Sequence, residues 1–209
     1  MVNSPGHAVP QEDVLMLKRL LIVPVTSLCI AAATQAAAGI AVGDKLAPFA
    51  LKDANGKIVD LAAVKVSKAA VVMFIATRCP VSNAYNTRME ALARDYGSRG
   101  VLFFGVNANR EESVVEIAEH ARTHGLSFPV LKDEGNVQAD RFGAQVTPEV
   151  YVFDSTWTLR YHGRVDDARD QSNVTRQDLH LALDAVLAGN PVSPAETKAF
   201  GCTIKRVTQ

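Results

Sequence analysis

Apolar and polar positions change period repeatedly along this chain, and each change predicts an element. Residues 69–76 (AAVVMFIA) form a continuous β-branched and aromatic run, the pattern of a strand buried on both faces. Residues 101–106 (VLFFGV) repeat it. Between the two, Met89, Leu92, Ala93 and Tyr96 follow helical spacing until Gly97 and Gly100 stop it. Residues 111–124 predict a second helix, with Val114, Val115, Ile117 and Ala118 inward and Gly125 at its end. Residues 128–131 read as a short edge strand and residues 137–142 as a short helix. Residues 150–153 and 159–162 alternate well enough for two strands around a turn at Asp154-Ser155. Residues 179–187 give the last helix, stopped by Gly189 and Pro191. Upstream, Asn55-Gly56 separates two short apolar stretches and predicts a β-hairpin.

This order predicts an α/β fold: a central mixed β-sheet flanked by helices, with an N-terminal β-hairpin and a C-terminal tail. Right-handed crossovers leave few ways to wind it. The chain has no internal repeat and no linker long enough to separate two domains. Residues 39–190 therefore read as one domain and residues 191–209 as a polar, irregular tail carrying Cys202.

Residues 1–38 follow a different logic. Lys18 and Arg19 precede an apolar stretch over residues 20–33, and small residues end at Ala36-Ala37-Ala38. That is the layout of a secretory signal peptide cleaved after Ala38. The stretch is short for a membrane span of ~20 residues, so no stable span is expected after cleavage. Residues 1–15 carry Glu12 and Asp13 where such a signal wants positive charge, so Met16 is the better start. Leu28 before Cys29 argues against a lipid-attachment site.

Composition changes the picture in two places. The 209 residues hold 22 basic and 22 acidic side chains, with no basic stripe, so nucleic acid is not an expected partner. Three cysteines exclude a disulfide-dense scaffold, and loss of Cys29 with the signal leaves Cys79 and Cys202. An oxidising compartment, periplasmic or extracellular, allows such a pair to be linked.

Cys79 lies where the apolar run of residues 69–76 hands over to a helix, in FIATRCPVS. Unpaired N–H groups at a helix start stabilise a thiolate, and a nearby cation such as Arg78 adds to this, lowering a thiol pKa from ~8.5. Pro80 suits the first helical position, where its missing N–H costs nothing. The alternative is a half-buried cysteine that packs as a small hydrophobe.

The segment FIATRCPVS resembles the active-site strand and turn of thioredoxin-fold redox proteins. Thr147-Pro148 resembles the cis-proline turn that faces their active-site thiol. The leader VGDKLAPFAL is similar to the GDxAPxF opening of the alkyl hydroperoxide reductase and thiol-specific antioxidant (peroxiredoxin) superfamily. With CPVSNAYNTRM, VNANREES, FPVLKDE, TPEVYVFD, HGRVDD and GCTIK, the chain most resembles its peroxiredoxin-like, redoxin branch. The resemblance implies a thioredoxin-like fold with Cys79 as nucleophile and Thr77, Arg78 and Pro148 around it. It departs from the pattern at Ser82, which stands where a local Cys-x-x-Cys would have its second thiol. Well-characterised peroxidases of this kind place a threonine three residues before the cysteine and an arginine entering the late strand. Here those places hold Ala76 and Pro148, so the peroxide-polarising set is incomplete unless Arg78, Arg88 or Arg164 supplies the guanidinium.

A resolving partner for Cys79 must come from elsewhere, and Cys202 is the available one. It can condense with a sulfenic acid on Cys79 or release a mixed disulfide by exchange; the alternative is an incidental thiol. Glu149 reads as an exposed strand-end carboxylate, with a proton-shuttling role the lesser reading. Asp166, Asp167 and Asp170 read as a solvated loop without calcium-ligand spacing. His120 and His124 share a helical face at i and i+4 but lack a third ligand, so they read as a polar helix end and no metal is expected. No cofactor is expected either: haem attachment needs Cys-x-x-Cys-His, and copper delivery wants a second cysteine where Asn83 and Ala84 stand. The leading expectation is an exported, antioxidant thiol oxidoreductase that reduces hydroperoxides and is restored by a thiol reductant, with a homodimer allowed. A reductase or isomerase of secreted protein disulfides is the alternative, and a redox-inactive binding module is the alternative of another class.

Overall fold

The computed structural model describes residues 39–207 except residue 67, together with positions 1 and 6. The signal-peptide reading, with Met16, Cys29 and the cleavage after Ala38, lies outside the described residues.

The hairpin forms where Asn55-Gly56 predicted it, joining β1 (Ala50–Asp53) to β2 (Ile58–Asp60). Asp53 accepts the N–H groups of Asn55 and Lys57 at 2.9 and 2.8 Å, and Gly56 supplies φ +83°. The apolar run becomes β3 (Ala69–Phe74), buried at every position, and the second becomes β4 (Val101–Asn107). With β5 (Val130–Lys132), β7 (Glu149–Asp154) and β8 (Leu159–Gly163), they build a seven-stranded sheet ordered β2-β1-β5-β4-β3-β7-β8. The β3–β4 and β4–β5 pairs are parallel and the others antiparallel. A second sheet pairs β6 (Val146–Thr147) with β9 (Cys202–Thr203).

Alternation along β3 feeds two cores. Val71 and Met73 join the cluster under α2 (Asn86–Ser98), α3 (Val114–Thr123) and α5 (Asp178–Leu187). Val72 and Phe74 join the cluster with Phe142 of α4 (Val137–Phe142), the leader residues Leu46 and Phe49, and Ile204 of the tail.

Four expectations are corrected. Residues 128–131 do not edge the sheet: β5 pairs with β4 on one side and with β1 on the other, because the hairpin adds outside it. The helix after Cys79 is two helices, α1 (Pro80–Ala84) and α2, divided at Tyr85. Val115 is 78% exposed, since two helical steps turn it away from buried Ile117, and Val114 and Ala118 are half-buried. The tail is not irregular throughout, since Cys202 and Thr203 form β9 and Ile204 is buried.

Candidate active site

Cys79 is the N-cap of α1, in extended backbone, with Pro80 in the first turn. It is 4% exposed. Its Sγ accepts the N–H of Ser82 at 3.2 Å and lies 3.4 Å from the Thr147 carbonyl oxygen. With only five residues in α1, the donor that counts is this single N–H rather than a long helix dipole. Ser82 is fully buried, and its hydroxyl accepts the Ala76 N–H at 3.1 Å, locking the end of β3 to the helix start. The residue that replaces a local second thiol thus fastens the loop that carries the first.

Cys79 is joined to Cys202 by a disulfide that spans 123 residues of sequence, with Cα atoms 5.8 Å apart. β9 delivers Cys202 by pairing with the Thr147-Pro148 turn: Thr147 opposes Cys202 and Val146 opposes Thr203. The Thr147-Pro148 peptide is cis. Gly201 makes this approach feasible, because a Cβ there would fall 2.0 Å from the Thr147 carbonyl oxygen. The tail is tied down on both sides of the cysteine. Upstream, Thr197 and Ala195 bond the backbone of His162 at 3.0 Å each. Downstream, Ile204 N–H bonds Gln145 O at 3.0 Å and Lys205 N–H bonds Asn109 Oδ1 at 2.7 Å.

The other candidates separate. Thr77 precedes the site with its hydroxyl buried and without a hydrogen-bond partner. Arg78 turns its guanidinium onto Glu116, Arg88 onto Asp166 at 2.6 Å, and Arg164 onto Asp178 at 2.6 Å. All three candidate arginines for the peroxide-binding set are therefore paired with carboxylates. Pro148 stands beside Thr147, whose carbonyl meets the sulfur.

A family model for the AhpC/TSA family matches residues 42–162. The chain belongs to the AhpC/TSA family. The matched span of this AhpC/TSA chain contains Cys79, Thr147 and Pro148 but ends before Cys202. Over 123 residues it is 29% identical to the thiol-disulfide oxidoreductase ResA of Halalkalibacterium halodurans, covering 59% of this chain and 65% of that one. The match thus spans just under two thirds of that relative. A solved structure of a hypothetical protein from Sinorhizobium meliloti is 35% identical with a TM-score of 0.76, covering 82% of this chain and 98% of the other. A thiol:disulfide interchange protein of the thioredoxin family from Chlorobium tepidum shares the fold at a TM-score of 0.57 and 21% identity, over 71% and 99% of the two chains. The architecture is thioredoxin-like.

Two carboxylates at this AhpC/TSA site escape a reading of sequence. Glu112, 4% exposed, accepts the N–H of Thr77 at 2.8 Å and of Arg78 at 3.1 Å, and takes the amide of Asn107. It holds the loop before Cys79 against the end of β4. Only its place in VNANREES hinted at it. Glu149 is not an exposed strand end: it is 4% exposed and receives four donors, from Gln145, Val146, Tyr151 and His162. Burial pushes its carboxyl up, but the His162 and backbone hydrogen bonds outweigh this and hold it below its ordinary value.

The aspartate loop is not simply solvated. Asp166 is buried and takes Tyr85 Oη at 2.8 Å as well as Arg88. Asp167 and Asp170 accept backbone N–H groups of Thr175 and Ser172. Among the described residues no three His, Cys, Asp or Glu side chains gather as a metal site. His120 instead bonds Asn83 at 2.8 Å and Asn86 at 3.2 Å, bracing α3 against the helix pair that follows Cys79. Burial, then the neighbouring His124, holds its pKa below the ordinary 6.5. As pH falls, the unfolded chain therefore takes up this proton first, so this group costs no stability well above pH 6.5 and an increasing amount below it. In urea unfolding at pH 7.5 and pH 5, His120→Gln is expected to show a smaller loss on acidification than the wild type.

Proposed function

We propose that this protein is an exported thiol-disulfide oxidoreductase that reduces or rearranges protein disulfides, with Cys79 as nucleophile and Cys202 as resolving thiol. The observation that carries this reading is the Cys79–Cys202 disulfide, built across the Thr147-Pro148 turn. The Cys79 thiolate attacks one sulfur of a substrate disulfide; that bond breaks, a mixed disulfide forms, and the other substrate sulfur leaves and takes a proton. Cys202 then attacks Cys79 Sγ, forming the internal disulfide and releasing the second substrate thiol. An external thiol reductant returns both cysteines to the reduced state. Thr77 and Arg78 position the loop through Glu112, and Pro148 shapes the turn that faces the sulfur.

The commitment of Arg78, Arg88 and Arg164 to carboxylates favours disulfides over peroxide as substrate. Membership of the AhpC/TSA family supports hydroperoxide reduction as the second reading, with Cys79 passing through a sulfenic acid that Cys202 closes. Export rests on the signal-like residues 1–38 and on a cysteine pair suited to an oxidising compartment. No described helix is long and apolar enough to cross a membrane.

Stopped-flow mixing of the reduced protein with an oxidised reporter protein, and separately with hydrogen peroxide, tests the substrate class. Disulfide is expected to react at least about tenfold faster at equal concentration. Faster reaction with peroxide would move the assignment to the second reading. Reaction with neither would leave a redox-inactive binding module.

A further inference from the structure

The segment that carries Cys202 is anchored at two places, and one pair, a buried carboxylate with a half-buried imidazole, touches both. Glu149 Oε2 accepts the N–H groups of Gln145 at 2.8 Å and Val146 at 3.1 Å. Those residues are the strip to which β9 docks: Val146 opposes Thr203, and Gln145 O takes the N–H of Ile204. Glu149 Oε1 accepts His162 Nε2 at 2.6 Å and Tyr151 Oη at 3.0 Å. His162 in turn stacks on the Tyr151 ring, with centroids 4.3 Å apart and planes 11° apart. Its own backbone N–H donates to Ala195 O, and its carbonyl accepts the N–H of Thr197. Beside it, Gly163 lies so close to Thr197 that a Cβ would fall 2.1 Å from the Thr197 hydroxyl. The carboxylate therefore grips the dock downstream of the disulfide, and the imidazole is built into the strand that grips the tail upstream of it.

We propose that Glu149 and His162 are positioning residues for the redox pair, fixing the register in which the tail presents Cys202 to Cys79. The inference rests on the reading of Cys79 and Cys202 as a working thiol–disulfide couple. Neither residue touches a sulfur. They act by keeping the two thiols at high effective concentration, which favours ring closure over open thiols or over a partner's thiol. Four donors converge on the two oxygens of Glu149, so an amide in its place turns an NH2 group against two of them.

The test is the equilibrium between the Cys79–Cys202 disulfide and a glutathione redox buffer, read by alkylation and mass in the wild type, Glu149→Gln and His162→Phe. Each variant is expected to shift the equilibrium toward the dithiol by about tenfold, the scale of one lost charge-assisted hydrogen bond. Leu61→Ala, buried next to β2 at the opposite edge of the sheet from β8, is the comparison; it is expected to lower the melting temperature and leave the equilibrium unmoved. His162→Phe keeps the stacking on Tyr151 and reads the same coupling if Glu149→Gln does not fold. A wild type that cycles reversibly, with folded variants at the same equilibrium constant, overturns this inference alone. A wild type that does not cycle removes the redox reading and this inference with it.

Discussion

Cys79→Ser is expected to lose turnover on a disulfide substrate by at least about a thousandfold, because no other group at the site can form the covalent intermediate. Cys202→Ser is expected to behave differently. Its Cys79 keeps the Ser82 N–H and still makes the first attack, but the mixed disulfide has no internal thiol to discharge it. One equivalent of substrate thiol is released in a burst, and a substrate adduct on Cys79 then accumulates and is seen by mass on a non-reducing preparation. Equal burst and steady-state rates in Cys202→Ser would mean that Cys202 takes no part. The same pair has a mechanical consequence. A bridge spanning 123 residues restricts the unfolded chain by about 4–5 kcal/mol in the loop-entropy account. Reduced wild type should therefore melt well below the oxidised form, and both serine variants should melt like the reduced form.

Gly201→Ala is the second large effect, and it leaves both sulfurs in place. The new methyl group would meet the Thr147 carbonyl carbon at 2.6 Å and its oxygen at 2.0 Å, both backbone atoms that cannot swing aside. Overpacking of this kind costs about 1–3 kcal/mol, at the upper end for rigid backbone atoms. The two-residue β6–β9 pairing is the part that yields, while the anchors at Ala195, Thr197 and Lys205 keep the rest of the tail in place. β9 should therefore lift from β6, taking Cys202 out of reach and uncovering Cys79. The disulfide equilibrium constant is expected to fall by about a hundredfold, and alkylation of Cys79 in the reduced protein to quicken. Alkylation as slow as in the wild type, with the disulfide intact, would show that the tail docks without that close approach.

Much of this architecture is legible along the chain. The run over residues 69–76 reads as a doubly buried strand, realised over Ala69–Phe74, and Cys-Pro after it suits a helix start, because both signals are local. The hairpin at Asn55-Gly56 and the helix over residues 137–142 follow from turn chemistry and periodicity in the same way. Glu149 shows where such reasoning stops. Its neighbours in TPEVYVFD describe a strand end, and nothing nearby reveals that His162 and two backbone N–H groups close over it. Glu112 is hidden for the same reason, since its partners Thr77 and Arg78 lie 35 and 34 residues away.

Sequence by itself therefore determined most of the elements, the place of Cys79 at a strand–helix junction, and the resemblance to the family, because backbone propensity and short motifs act within a few residues. Tertiary structure alone decided which groups meet. It put β5 inside the sheet, matched each candidate arginine with an acid, and brought a polar tail onto the Thr147-Pro148 turn. Those outcomes depend on packing between segments 14 to 123 residues apart, where burial and close backbone approach, at Gly201 above all, select one pairing from many.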